Sequence, residues 1–173
     1  MKKTIFVLLA CCGMLHAQTN KHEIKWNVLN TITLASVEVG YEYFLDKSQS
    51  VGVELLLNDS FNMSWNRQAK DFKTNSIQLS YNFYTGKSDD ASGLVITPIA
   101  KFRFGTYQET DSSVEVDMDS FILGIGMGYK WNMSDKFTFG PYGMIGRNFS
   151  EEVRETFDNP VEFNVGFGVG YRF

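Results

Sequence analysis

Cysteine, histidine and proline are almost missing from this chain. Its two cysteines, Cys11 and Cys12, are neighbours near the start, its histidines are His16 and His22, and there are three prolines. The opening MKKTIFVLLACCGMLHAQ has the layout of a secretory leader: a lysine pair, a short apolar run, and small Ala17 before Gln18. Cleavage after Ala17 would remove residues 1–17 and leave 18–173 as the mature chain. That mature chain holds no thiol, which excludes disulfides, cysteine nucleophiles and thiolate metal sites. The apolar run from Ile5 to Leu15 is also shorter than the roughly 20 residues of a membrane-spanning helix.

Positive charge is scarce too. Without Lys2 and Lys3, 14 basic residues face 20 acidic ones, a formal net charge of −6. This balance argues against nucleic acid as a partner, since phosphate backbones select basic surfaces. With so little proline and no low-complexity tract, 18–173 reads as one domain. An alternative for the leader is that Leu8-Leu9-Ala10-Cys11 resembles a lipobox, which would leave a leader of only ten residues.

Aromatic residues and glycine are plentiful: 15 Phe, 8 Tyr, 3 Trp and 15 Gly. Both suit an all-β chain, in which rings cover pleated faces and glycines serve bends and close contacts. No segment shows convincing helical periodicity, whereas period-two alternation recurs eight times. The first strand is expected over Glu23 to Asn30, with Ile24, Trp26 and Val28 on one face, and the second over Ser36 to Leu45. Val51 to Leu57 follows a DKSQS turn, and DSFNMSWNRQAKDFKTN reads as a long polar loop. Ile77, Leu79, Tyr81 and Phe83 mark the next strand, then Leu94 to Phe104, where Pro98 favours a bend or a weakly paired position. Phe121 to Trp131, Phe137 to Ile145 and Val161 to Phe173 complete the set, with long loops around QETDSSVEVDMD and NFSEEVRETFDNP. Long and short connections mostly alternate, as they would with loops at one rim and turns at the other. The expectation is an eight-stranded antiparallel up-and-down transmembrane β-barrel, a closed architecture without edges.

Alternation alone fits either a soluble barrel with its apolar face inward or a membrane barrel with it outward. Four features favour the second. Glycines such as Gly124, Gly126, Gly128, Gly166, Gly168 and Gly170 occupy the non-apolar face, where a narrow interior needs room. That face also mixes charges: Lys25, Glu38, Glu42, Glu54, Lys101, Arg103, Lys130, Glu162 and Arg172 are expected to pair and plug the lumen. Trp26, Tyr43, Phe83, Tyr129, Trp131, Phe137, Tyr171 and Phe173 are expected near the rim of turns and termini as an aromatic girdle. The fourth is the ending itself, an apolar alternation closing on Tyr171-Arg172-Phe173.

Residues Val161 to Phe173 resemble the C-terminal recognition signal of bacterial outer-membrane barrels, with Tyr171 and Phe173 as its aromatic marks. The whole mature chain resembles small outer-membrane barrels of the OmpA/OmpX type. IKWNVLNTITLASVEVGYEYFLDKSQSVGVELLL further resembles uncharacterised Bacteroidetes barrels, on Lys25, Asn27, Glu38, Gly40, Glu42 and Ser50. The resemblance implies location in the outer membrane, contact with its lipid and lipopolysaccharide, insertion by the barrel-assembly machinery, and a monomer. It implies no single activity.

Candidate chemistry is sparse, and no cofactor or metal site is expected. His22 would stand alone as a base, and its position before the first strand suggests a solvated residue. Lipid A deacylases of similar size resemble a His-Ser-Glu arrangement on the barrel's outside, but no such pair is found here. GIGMGYK superficially suggests a phosphate-binding loop, yet its glycines alternate within a strand pattern. Glu115, Asp117 and Asp119 offer few ligands for a divalent cation, so a solvated loop is the favoured reading. Glu151 and Glu152 read as loop decoration. Arg67, Lys70, Lys73, Arg147 and Arg154 are placed in loops, where they would either touch lipopolysaccharide phosphates or keep the loops soluble. Phe61 and Trp65, within DSFNMSWNRQAKDFKTN, mark either a binding surface or interfacial packing. The reading is a non-enzymatic outer-membrane barrel with a structural or surface-interaction role. The alternatives are a soluble periplasmic ligand-binding barrel and a lipid-modifying barrel enzyme.

Overall fold

A computed structural model of the chain describes residues 21–59, 70–86, 90–109, 115–156 and 160–173. The expected leader, including Cys11 and Cys12, lies outside them, as do Phe61, Trp65 and Arg67. The strands are β1 (His22–Asn27), β2 (Val37–Phe44), β3 (Gln49–Leu57), β4 (Lys70–Tyr84), β5 (Gly93–Glu109), β6 (Glu115–Asp117), β7 (Ser120–Asn132), β8 (Phe137–Asn148) and β9 (Val161–Arg172). All pair antiparallel. Each barrel strand pairs with its sequence neighbours, β7 lies against β5, and β1 closes on β9. Eight strands therefore form a closed up-and-down barrel, and three-residue β6 is a flap on the end of β5.

Period two sets the faces. Along β2, Val37, Val39, Tyr41 and Tyr43 are exposed while Glu38, Glu42 and Phe44 are buried. Along β7, Phe121, Leu123, Ile125, Met127, Tyr129 and Trp131 all point outward. The outside is thus apolar and the enclosed side polar, the reverse of a soluble barrel. Not every inward residue is polar: Leu56, Met118, Ile122 and Val153 are fully buried. Phe44, Tyr84 and Ala91 form a small apolar cluster with Val95 at the turn end. Within β5, Pro98 pairs with Ile125 of β7, but the ladder to β4 is interrupted between Ile99 and Ile96. The missing N–H of proline accounts for that gap.

Several expectations need correction. β1 stops at Asn27 rather than Asn30, and helix α1 (Val28–Leu34) replaces both the strand end and the expected TITLA turn. Asn27 caps α1 by accepting from the Asn30 amide, and Thr31 and Thr33 donate to the carbonyls four residues back. Ala35 ends the helix in the left-handed region, with φ 50°. A second short helix, α2 (Glu151–Thr156), occupies the last long connection and carries Glu151, Glu152 and Arg154. Lys70 and Lys73 belong to β4 and Arg147 to β8, not to loops.

Turn chemistry is local. In the β2–β3 connection the Ser48 backbone N–H and hydroxyl both donate to Asp46, holding its carboxyl below the ordinary carboxylate range.

Candidate functional site

The chemistry of this barrel sits on its enclosed side, in two ion-paired layers with a cavity near them. Toward the loops, Arg103 extends from β5 and reaches two carboxylates. Its Nε and Nη2 donate to Asp59 at 3.2 and 3.0 Å, and its Nη1 and Nη2 donate to Glu162 at 2.6 and 2.8 Å. Lys101, two residues earlier on the same face, bridges the same pair at 3.1 and 3.0 Å. Ser76 and Asn148 donate to Asp59 and Glu162 respectively. Arg103 and Lys101 are among the most buried side chains in the barrel. Two cations against two carboxylates make this layer neutral.

At the turn end, β1 and β2 set Glu23 opposite Glu42. Like charges so placed repel, and Lys130 from β7 lies between them at 2.8 and 3.3 Å. Arg172, the cross-strand neighbour of Glu23, donates to it at 2.7 Å and lies over the Phe44 ring. The Tyr84 and Ser50 hydroxyls donate to Glu42. Lys25 then joins Glu42 to Glu54 at 3.3 and 3.1 Å. Gly40 lies between Lys25 and Glu54 in the ladder, and a Cβ there would come within 2.7 Å of Glu54 Cγ. The glycine lets those two long side chains meet across a strand.

Glu38 is served differently. It accepts from Asn27 and Asn30 at 2.7 Å each, from the Tyr142 hydroxyl at 2.7 Å and from Asn164 at 3.5 Å. Its donors come from β1, α1, β8 and β9, so the helix start is tied into the lumen. Beside this cluster a cavity of about 130 Å³ is lined by charged residues of both signs, Lys25, Lys130, Glu38 and Glu54 among them, by Gln78 and Tyr142, and by apolar residues such as Ile99 and Met144.

All nine lumen residues expected from the sequence face inward, Lys25 and Glu54 less deeply than the rest. Sequence reasoning missed two members. Glu23 shares its phase with Lys25 in HEIKWN and was legible from parity. Asp59 was not: by strand parity it would face outward, but Asn58 adopts φ 59° and turns it inward.

The aromatic set divides. Tyr43, Phe83, Tyr129, Trp131, Phe137 and Tyr171 are exposed and Phe173 partly so, all near the turns and termini. Trp26 departs from the expected position. It lies four residues beyond His22, at the foot of α1, where its Nε1 donates to Thr31. His22 is not simply solvated either: its Nδ1 meets the Tyr41 hydroxyl at 2.5 Å and its ring stacks on Phe173. The backbone of Phe173 exchanges two hydrogen bonds with His22, which fastens the last residue to the first strand.

Of the acidic residues expected in a loop, Glu115 and Asp117 lie on β6 and Asp119 just beyond it, and all three are engaged by their own surroundings. Glu115 accepts from Thr106, Asp117 from the Asp119 amide, and Asp119 from the Gly105 amide. Arg147 is exposed on β8 and lies over the Phe149 ring at 5.8 Å.

A closed eight-stranded antiparallel barrel with apolar residues outside and ion pairs within is the architecture of small outer-membrane barrels. The N-terminal barrel domain of Pseudomonas aeruginosa OprF is similar to this chain in structure, with a TM-score of 0.56 and 17% identity over 90% of this chain and 98% of that one. The attachment invasion locus protein Ail of Yersinia pestis gives a TM-score of 0.46 and 12% identity, over 88% and 93% of the two chains. No curated protein matches the sequence. The chain belongs to the family described as protein of unknown function DUF3575, whose pattern matches residues 4–151.

Proposed function

We propose that this protein is a non-enzymatic integral barrel of the outer membrane, a rigid stand whose long connections present a surface for interaction. The observation that carries the reading is the apolar outer face, which runs around the closed sheet from Ile24 and Val39 to Ile125, Ile145 and Val165. In water such a face would far exceed the apolar patches of soluble monomers; in a bilayer it is the required contact with lipid. The exposed aromatics of the turn end would sit at a membrane interface. The long-loop end, with Arg147 and Arg154, would meet lipopolysaccharide. The inward charges would block free passage through a bore that eight strands already leave narrow.

A non-catalytic role is supported by how the polar side chains are used. The interior carboxylates are held by ion pairs or amides, and His22 is engaged by Tyr41 and Phe173 at the rim. Insertion by the barrel-assembly machinery, with Tyr171 and Phe173 as the address, and a monomeric state belong to the same proposal. The test is electrophoresis of the outer-membrane fraction, unheated and boiled. A band that shifts only on boiling supports the reading. A soluble periplasmic protein with no shift overturns it.

A further inference from the structure

The wall of this barrel is not made of strands over its full height. β1 ends at Asn27, opposite Gly168, while β9 runs on through residues 161–167, and among the described residues no other strand lies on that side of it. Phe163, Val165 and Phe167 are exposed on the apolar outside, which places this edge at lipid depth in the membrane reading proposed above. Lipid offers no hydrogen bonds, so non-strand backbone at that depth survives only where protein covers it or where it lines a cavity. Helix α1 supplies the cover. It packs on β9, and side chains tie it there: Asn27 Oδ1 accepts from the Phe167 amide at 3.3 Å, and Asn30 Nδ2 donates to Asn164 at 2.8 Å and to Glu38 at 2.7 Å. Leu29 and Ile32 of the helix are exposed. Its 7 residues fall short of the roughly 12–15 at which an isolated helix becomes even marginally stable, so α1 depends on tertiary contacts such as these.

The lumen cavity lies behind this break. Trp26, Asn27, Gly168 and Val169, the last two rungs of the β1–β9 ladder, belong to its lining. Most of the lining surface is apolar, with Ile99 and Met144 contributing from β5 and β8. At about 130 Å³ the cavity is close in size to an engineered apolar cavity of ~150 Å³ that stays dry and takes up benzene. One polar group bears on what it could hold. The Lys25 ammonium has one donor more than the two carboxylates that hold it among the described residues, Glu42 and Glu54, and a quarter of its side chain remains open. Those carboxylates already answer its charge, so an uncharged acceptor suits the spare donor.

We infer that this cavity binds a small, neutral, lipid-soluble molecule the size of a single ring with one oxygen acceptor, taken up from the bilayer past α1. The ring lies against Ile99 and Met144, and the oxygen accepts from Lys25. α1 is the movable part of the wall, because displacing it breaks side-chain bonds and no strand ladder. The route rests on the membrane reading; the cavity does not.

The test uses the full barrel in lipid nanodiscs, with isoleucine methyl groups followed by NMR while phenol or benzene is added. Ile99 reports the cavity, and Ile125 on the outer face reports solution in lipid. The expected result is a saturable shift at Ile99 beside a proportional drift at Ile125. Phenol should bind about tenfold more tightly than benzene at equal concentration in lipid, as one hydrogen bond to a charged group implies. Gly126→Leu should abolish the Ile99 response in a folded barrel, since a Cβ there meets nothing closer than 3.5 Å and the longer side chain fills the cavity. Joining Asn30→Cys to Asn164→Cys with a short bifunctional thiol reagent should slow uptake relative to the same variant unjoined and leave the plateau unchanged. Ile99 and Ile125 drifting together for both probes overturns the inference, and so does a folded Gly126→Leu that keeps the saturable shift. Equal affinities for the two probes remove Lys25 from the site, and a joined barrel that fills as fast as the unjoined one overturns entry past α1. A barrel that stays out of nanodiscs overturns the membrane reading and the route with it; the same titration in detergent then decides the cavity. If Gly126→Leu does not fold, the wild-type titration decides.

Discussion

Arg103→Ala is the most informative single change in the lumen. The guanidinium makes four hydrogen bonds to Asp59 and Glu162, and removing it leaves those two carboxylates to share Lys101. Breaking a buried ion pair by deleting one partner costs about 3–5 kcal/mol. Here the lower end applies, because Lys101 stays within 3.1 Å of Asp59 and 3.0 Å of Glu162. With a urea slope of about 2 kcal/mol per molar, a loss of about 3 kcal/mol lowers the unfolding midpoint by roughly 1.5 M. The assay is a urea titration of the barrel in micelles, read by tryptophan fluorescence and by unheated electrophoresis. Planar-bilayer conductance is measured alongside, and it should rise as the layer loosens. A control separates charge from lost packing: adding Glu162→Gln restores one cation to one carboxylate and should recover part of the midpoint. If Arg103→Ala shifts the midpoint by less than about 0.3 M and leaves conductance unchanged, the interior pairs neither hold nor plug this barrel.

Gly166→Ala should cost about 1–3 kcal/mol in the same titration, because its Cβ would fall 2.4 Å from Asn27 Nδ2 and 2.7 Å from the Tyr142 ring. Gly168→Ala, two residues on and facing the same way, meets only the Gly140 carbonyl at 3.9 Å and should stay within about 0.5 kcal/mol; equal costs would refute the packing argument. Ile125→Arg, on the outer face, should lose about 2–4 kcal/mol when the barrel refolds into lipid vesicles, and an unchanged vesicle stability would count against a lipid-facing surface. Phe173→Ala should reduce the heat-modifiable band in cells while the purified variant still refolds in micelles. A parallel loss of both would assign Phe173 to folding, through its bonds to His22, rather than to recognition.

The faces of the barrel were legible because each mid-strand residue answers to one of two environments. Val51, Val53, Leu55 and Leu57 stand against Ser50, Gly52 and Glu54, and no other structure satisfies that pattern as well. Strand ends were not legible. Lys73 and Asn75 continue β4 on its outer face, and both are polar, so the contrast between faces vanishes where the ladder still runs. Helix α1 was hidden for a different reason. VLNTITL is rich in β-branched residues and reads as strand, yet its Asn30 reaches inward to Glu38 and Asn164 at 2.7 and 2.8 Å. Those tertiary bonds, with the Asn27 cap, outweigh the local preference. Asp59 escaped because one left-handed residue, Asn58, reverses the parity after β3.

The interior charges also solve a problem that alternation leaves open. A period of two fixes which face a residue takes, but sliding a strand by two residues preserves every face. Between β1 and β9 the register sets Glu23 against Arg172 and Lys25 against Gly170. Sliding β9 by two in one direction sets Arg172 against Lys25; the other direction sets it against Lys21. Both alternatives place like charges side by side, and both take Arg172 from its place opposite Glu23. Gly170 adds a steric vote, since a Cβ there would meet Glu23 Oε1 at 2.5 Å. The polar lumen therefore selects the closing register, while the apolar outside tolerates several. On this account the residues proposed to plug the bore also determine where the barrel closes, which leaves the connections at its long-loop end as the part of the chain freest to vary.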